Sequence, residues 1–324
     1  MILVTGGAGY IGSHCVLALL DKGYEVVAIC DTDIEKCQQY PQIKAYTDYR
    51  EMLEKEDLDV VHICTPHDLH AEMVVAALNR DIHVLCEKPL CSRKEDLPAI
   101  LEAEKASKAQ LGVCFQNRYI PCNKYVKEYL QDKTIVSIQA NVHWGRDKAY
   151  YAAGEWRGIK ARSGGGVLIN QAIHTIDLLQ WLGGDVEYLT ASVSNLTLRD
   201  VIDVEDTAFL ILQGKTNCIL SATNGCPPGF PVDVQIQTQA EIIRLIDNEI
   251  LLNGRIVHFP NSNQYLGKPC YGMGHSPLID DFYDCIESGR KFSIDGSEGA
   301  KALRLVFAAY ESNGEKVAVG SNKY

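Results

Sequence analysis

No run of apolar residues in this chain approaches the ~20 needed to cross a bilayer as a helix. Nor does a charged segment followed by an apolar stretch precede the strand-like opening "MILVTGG". The expected setting is therefore cytoplasmic. Positive charge is scarce as well: 31 Lys and Arg stand against 42 Asp and Glu, a net charge of −11. A protein that binds a nucleic-acid backbone or an anionic membrane needs a concentrated positive face, so neither partner is expected and a small molecule fits better. The twelve cysteines include no Cys-x-x-Cys pair and have no His-x-x-x-His companion. That pattern speaks against a metal site, and several cysteines lie inside apolar runs where a reduced thiol packs as a small hydrophobe. Internal repeats and low-complexity linkers are missing too. With 46% apolar and 23% charged residues in 324, the chain reads as globular and long enough for two domains.

What is present is ordered in two patterns. Residues 1–115 alternate strand and helix signals: "MILVTG", a helix from Ser13 to Lys22, "EVVAICD", a helix around Tyr49–Glu54, "DVVHICT", a helix from Leu69 to Asn79, "IHVLCE", a helix near Lys94–Lys108, and "LGVCF". β-Branched runs separated by helices predict βαβ units around a doubly wound parallel sheet, a Rossmann arrangement of the α/β class. After about residue 122 the strand-like stretches "TIVSIQANVHW", "VEYLTASVSNLTL", "DTAFLILQ" and "NCILSATNG" follow one another largely without helices, and Asn253-Gly254 marks a hairpin. The second domain is read as α+β on an open, largely antiparallel sheet, with helices around Leu168–Leu182, Leu278–Ser288 and Glu298–Ser312. The expected domains are 1–121 and 122–324, with the last helix packing back on the first. An open sheet buries its free face against a partner, which predicts a homodimer or homotetramer.

The turn "TGGAGYIGSH", residues 5–14, fits two registers, Gly7-x-Gly9-x-x-Gly12 and Gly6-x-x-Gly9-x-x-Gly12. Either one, placed between a strand and a helix start, brings backbone N–H groups to a pyrophosphate. Gly6, Gly7, Gly9, Tyr10, Ile11 and Gly12 are therefore candidate cofactor contacts. Asp31 closes the second strand, where a carboxylate accepts hydrogen bonds from both ribose hydroxyls and repels a 2′-phosphate. No arginine follows it in "DTDIEK", so the expected cofactor is NAD rather than NADP.

Farther on, "VVHICTPHDLHAEMVVAALNRDIHVLCEKPL", "GVCFQNRYIP", "GGGVLINQAIHTIDLLQWL", "GHSPLIDDFYDCIESGRKF" and "EGAKALRLVFAAYES" resemble the glucose–fructose oxidoreductase/inositol dehydrogenase (Gfo/Idh/MocA) family. The resemblance covers nearly everything after residue 30. It implies an NAD-dependent oxidoreductase acting on a secondary hydroxyl of a sugar, inositol or sugar derivative, with Thr65, Pro66, His70, Glu87, Lys88 and Gln116 around the cofactor. From the residues alone, Lys88 ends a parallel strand at the ligand edge, where an ammonium stabilises an alkoxide as hydride leaves, and Pro89 predicts a constrained, cis-compatible turn. Asn170, His174 and Asp177 share one helical face by spacing. The resemblance makes His174 the acid/base and Asp177 a neighbour that orients it or binds substrate, with Asn170 standing where many members carry Asp. It also points to Gln116, Asn117, Arg118, Tyr119, Tyr271 and His275 as contacts of nicotinamide or substrate. In "HWGRDKAYYAAGEWRG", Trp144, Tyr151 and Trp156 are suited to stack on a sugar ring and Arg146 or Arg157 to bind its oxygens.

The first thirty residues read differently. "MILVTGGAGYIGSH" with "LLDKGYEVVAICD" resembles the amino terminus of UDP-glucose 4-epimerases, which are extended short-chain dehydrogenases, and a recombined or engineered chain is one reading of that join. Epimerase chemistry needs a Tyr-x-x-x-Lys pair after the fourth strand. Tyr40 and Lys44 have the spacing, but they follow the second strand and Pro41 interrupts them. Three readings stay open: a sugar or polyol dehydrogenase, a redox-neutral epimerase or glycosidase with tightly held NAD, and a chimera that binds NAD with little turnover.

Overall fold

The β-branched runs of the first third become strands, each followed by a helix that covers the sheet. In chain order these are β1 (Ile2–Thr5), α1 (Tyr10–Asp21), β2 (Val26–Cys30), α2 (Ile34–Cys37), β3 (Lys44–Tyr46), α3 (Tyr49–Lys55), β4 (Val60–Ile63), α4 (His67–Leu78), β5 (His83–Cys86), α5 (Leu97–Ala106) and β6 (Leu111–Val113). The computed structural model describes all residues except 8, 247–248, 258–273 and 321–324. The strands form one parallel sheet in the order β3-β2-β1-β4-β5-β6. The order reverses beside β1, the point where such sheets bind ligands outside the carboxyl ends of their strands.

The second series begins with α6 (Pro121–Tyr129), β7 (Ile135–His143), α7 (Lys148–Ala152) and α8 (Lys160–Ser163). A π-helical turn, Leu168–Ala172, leads into α9 (Ile173–Gly183). There follow β8 (Val186–Ser194), β9 (Thr207–Gly214), β10 (Asn217–Thr223), β11 (Asp233–Thr238), β12 (Ile242–Ile246), β13 (Glu249–Leu252) and β14 (Arg255–Val257). After α10 (His275–Ser288) and α11 (Gly296–Ser312), the short β15 (Val317–Ala318) joins the sheet edge. The nine strands run in the order β14-β13-β12-β11-β7-β10-β9-β8-β15. Their pairing is antiparallel apart from β7 with β10, so the sheet is mixed rather than uniformly antiparallel. The hairpin at Asn253-Gly254 is present: Leu252 pairs with Arg255, and the two turn residues have φ of 49° and 78°, as a two-residue primed turn requires. On β9 and β10 buried and exposed residues alternate, and α9 packs on β7 and β10 over the buried face.

The chain divides into two compact units, residues 1–115 with 275–300 and residues 116–274 with 301–324. A single cut after residue 121 does not describe this division, because α10 carries an apolar face that the first sheet needs. Phe282 is fully buried, and a Cβ on Gly112 of β6 would stand 2.9 Å from its ring. The Tyr283 hydroxyl meets His62 Nε2 of β4 at 2.8 Å. Burying a phenylalanine of this kind contributes roughly 2–3 kcal/mol.

Candidate active site

The chain leaves β1 through a turn with room for little besides backbone. Gly6 has φ of 65°, and a Cβ there would stand 2.5 Å from the carbonyl oxygen of Cys64; a Cβ on Gly12 would stand 2.1 Å from that of Gly6. Gly7 is confined as well, since its Cβ would lie 2.9 Å from the Val4 carbonyl oxygen. Both registers of the motif are thus built into one turn. Gly9 precedes α1 without a side-chain cap, and no acidic residue lies in the first helical turn. An uncapped helix start of this kind presents its first N–H groups to an external anion. Asp31 follows β2 partly exposed, and its Oδ1 accepts the Asp33 N–H at 3.1 Å. A backbone cradle, an uncapped helix start and a carboxylate beyond the second strand fit the pyrophosphate and ribose of NAD. Ile11 is partly exposed here, while the Tyr10 side chain lies outside the described residues.

At the carboxyl ends of β4 and β5 two turns are tied together from beneath. His70 is fully buried, with Nδ1 2.7 Å from the Pro89 carbonyl oxygen and Nε2 2.8 Å from that of Thr65. Burial pushes its imidazole below the ordinary value, against the pull of the two carbonyls. With its two nitrogens at backbone carbonyls, His70 ties the Thr65-Pro66 turn to the Pro89 turn. Glu87 is buried, with Oε1 3.4 Å from His275 Nε2 and Oε2 accepting the Lys88 N–H at 3.3 Å. Burial pushes the Glu87 carboxyl up, but contact with His275 and the charges of His275 and Lys88 outweigh it and hold the group below its usual range. For His275 burial acts downward and Glu87 more than offsets it, leaving the imidazole above its ordinary value. His275, expected on substrate, is thus engaged with Glu87. The Lys88–Pro89 peptide bond is cis. From Val84 to Ser92 every residue is buried except Lys88.

In the second unit the same selectivity recurs. Between Gly165 and Gln180 only Asn170 and His174 are partly exposed. They lie at the π-helical turn and the first turn of α9, and π turns recur at functional sites. Asp177, expected beside His174, is fully buried and receives two hydrogen bonds from Arg118, Nε to Oδ2 at 2.7 Å and Nη2 to Oδ1 at 2.6 Å. The pair ties the turn Gln116–Tyr119 to α9. Gln116 and Tyr119 are themselves buried, and Gln116 Oε1 has no hydrogen-bond partner among the described residues. The glycine entry to the π turn is held by Glu205, whose buried carboxylate accepts the N–H groups of Gly166 at 2.8 Å and Leu168 at 3.0 Å and the Tyr310 hydroxyl at 2.9 Å. Burial raises this carboxyl in spite of those donors.

Beside this turn stands an aromatic cluster. The Arg146 guanidinium lies 4.8 Å from the Trp144 ring centroid and 4.6 Å from that of Tyr150; Arg157 lies 4.8 Å from Tyr150 and 5.7 Å from Trp156. Trp144, Tyr150 and Trp156 are partly exposed, as a stacking surface requires. Tyr151 is not available for stacking. It packs with Leu198, Ile202 and Val204, and its hydroxyl accepts the Asn224 amide at 3.0 Å. Tyr271 lies outside the described residues.

Comparison with known proteins agrees with both units. Residues 2–115 match the family described as "Oxidoreductase family, NAD-binding Rossmann fold", and residues 125–242 match the "GFO/IDH/MocA C-terminal domain". The chain belongs to the GFO/IDH/MocA oxidoreductase family. A myo-inositol 2-dehydrogenase from Thermotoga maritima is 25% identical over 284 residues, 85% of this chain and 84% of the relative. An inositol 2-dehydrogenase from Salmonella paratyphi B is 31% identical over 235 residues, 65% of this chain and 66% of the relative. Among solved structures, the WlbA dehydrogenase from Bordetella pertussis in complex with NADH and UDP-GlcNAcA superimposes with a TM-score of 0.86 at 27% identity, covering 99% of each chain.

The GFO/IDH/MocA match starts ahead of the epimerase-like turn and runs through it. Among the described residues, neither Tyr-x-x-x-Lys spacing is arranged for short-chain chemistry. Tyr40 is buried with its hydroxyl on the Ser13 carbonyl, and Lys44 pairs with Glu56. A second Tyr-x-x-x-Lys spacing, Tyr129 and Lys133, meets Glu241, whose hydrogen bond raises the Tyr129 hydroxyl. An acid/base tyrosine needs the opposite shift. The sequence reading missed Glu205 and the Arg118–Asp177 pairing. The only local signal for Glu205 is an acidic pair, Glu205-Asp206, set directly against an apolar strand.

Proposed function

We propose that this family member uses NAD to oxidise a secondary hydroxyl of a sugar, an inositol or a sugar derivative. One observation carries the reading: in two otherwise buried stretches, 84–92 and 165–180, the partly exposed positions are Lys88 in one and Asn170 with His174 in the other. Lys88 donates a hydrogen bond to the reacting oxygen and stabilises the alkoxide as the C–H bond breaks. His174 accepts the hydroxyl proton, since an imidazole titrates near neutral pH. Asn170, an amide unable to take up that proton, grips a neighbouring hydroxyl. NAD, when bound, supplies the hydride-accepting carbon of the nicotinamide. Glu87, His70 and Glu205 act through the backbone they hold. The inositol dehydrogenase relatives support a polyol or sugar as substrate.

The test is NADH formation on a panel of sugars, inositols and nucleotide sugars, with Lys88→Ala alongside. We expect turnover on at least one compound and a fall of about 10²–10³-fold in kcat for the variant; equal rates for both proteins overturn the assignment. Substrate conversion without net NADH would favour the redox-neutral alternative with tightly held NAD. The wording of "MILVTGGAGYIGSH" supports a borrowed first segment, for which NAD binding without turnover on any compound is the expected sign.

We also infer a homo-oligomer and a cytoplasmic setting. Phe209 and Ile211 of β9 and Ile219 of β10 lie about half exposed on the side of the second sheet facing away from α9, with Ile211 directly opposite Ile219. A contiguous apolar face of this kind favours a second copy. The eleven described cysteines are all free thiols, which suits a reducing compartment.

A further inference from the structure

We infer that the cluster formed by Arg146, Arg157 and the rings they rest on is an anion-recognising subsite, and that the substrate is an acidic sugar bearing a carboxylate or phosphate. This deepens the dehydrogenase reading and rests on it for the word substrate. Both guanidiniums lie against one ring, that of Tyr150, at 4.6 and 4.8 Å from its centroid, so two like charges are held close together in a half-buried setting. Neither makes an ion pair among the described residues. The hydrogen bonds of Arg146 and Arg157 side chains go to the backbone carbonyls of Gly145 and Tyr150. Of the neighbouring carboxylates, Asp147 caps α7 by accepting the Tyr150 N–H, Asp206 accepts the N–H groups of Leu196, Thr197 and Leu198, and the exposed Glu155 pairs with neither arginine among the described residues.

In a chain of net charge −11, two adjacent cations without a carboxylate are costly unless a ligand brings the negative charge. Arginine's planar fork matches carboxylate and phosphate oxygens, and the ring faces beside it suit a sugar. Two buried polar atoms here also lack hydrogen-bond partners among the described residues, the donor Arg146 Nε and the acceptor Asn224 Oδ1. A ligand carrying both an anionic oxygen and hydroxyl groups answers both needs. The cluster adjoins the proposed chemistry through Gln171, the residue after Asn170. Gln171 donates to the Tyr150 hydroxyl at 3.3 Å and accepts from Asn224 at 3.2 Å.

The experiment is isothermal titration of the NADH-loaded protein with D-glucose, D-glucuronate and D-glucose 6-phosphate. We expect at least one anionic probe to bind about tenfold or more tighter than D-glucose, with the glucuronate and phosphate arms telling carboxylate from phosphate. Arg146→Gln and Arg157→Gln should each bring that ratio close to one, whereas Arg255→Gln, at the distant hairpin, should leave it intact. Circular dichroism verifies folding, and Arg157→Met carries the test if Arg146→Gln does not fold. No preference for either anion, or a preference that survives both substitutions, overturns the inference. Because titration reads binding without turnover, a protein that prefers the anion yet forms no NADH would contradict the dehydrogenase reading and leave the subsite standing.

Discussion

Spacing places Asp177 on its helix but does not name its partner. Helical periodicity puts Asn170, His174 and Asp177 on one face, but Arg118, 59 positions away in sequence, takes both carboxylate oxygens inside the protein. No local pattern announces such a partner. The same holds for His70, whose ring nitrogens are used by Thr65 and Pro89. Lys88 is legible from its place at the end of a parallel strand and His174 from helical spacing and the family resemblance; that each is partly exposed within a buried run is seen in the structure alone. The pairing makes a prediction: Asp177→Asn removes the charge of one member of a buried ion pair, costing on the order of 3–5 kcal/mol in urea unfolding. If Asp177 instead served to orient His174, stability would hold and the pH profile of kcat would move.

The π turn and α9 depend on a support that lies in a different part of the chain. Glu205 satisfies two N–H groups at the helix entry that would otherwise be orphaned, and Tyr310 closes the third side. Glu205→Ala leaves these donors buried and unpaired, at about 1–3 kcal/mol for each group. We expect a lower unfolding midpoint and a kcat that falls more than KM rises, with Glu205→Gln recovering part of both; a change in stability with kcat unaltered would reduce Glu205 to a structural anchor. Strands and helices with strong periodicity were readable, as was the Asn253-Gly254 hairpin. The short β3, "KAY", escaped because two of its three residues are exposed and no alternation marks it. The parallel β7–β10 pair escaped because register between distant strands is decided by packing.

For the molecule as a whole, the exposed apolar face of the second sheet predicts association. Light scattering should give at least a dimer, and Ile211→Asp with Ile219→Asp should shift it toward monomer; a wild-type monomer at micromolar concentration would contradict the proposal. Family and fold were legible through motifs spread along most of the chain, and the epimerase-like opening changed neither, because a glycine turn fixes how a nucleotide is held and not what is done to the substrate. We propose that this chemistry falls to Lys88 and His174. It is tested most directly by kcat for NADH formation in the wild type, Lys88→Ala, His174→Ala and the double variant on the best substrate found. Residues that act on one step are non-additive, so each single change should cost roughly 10²–10⁴-fold and the double little more than the worse single. Either single variant turning over at the wild-type rate would contradict the assignment.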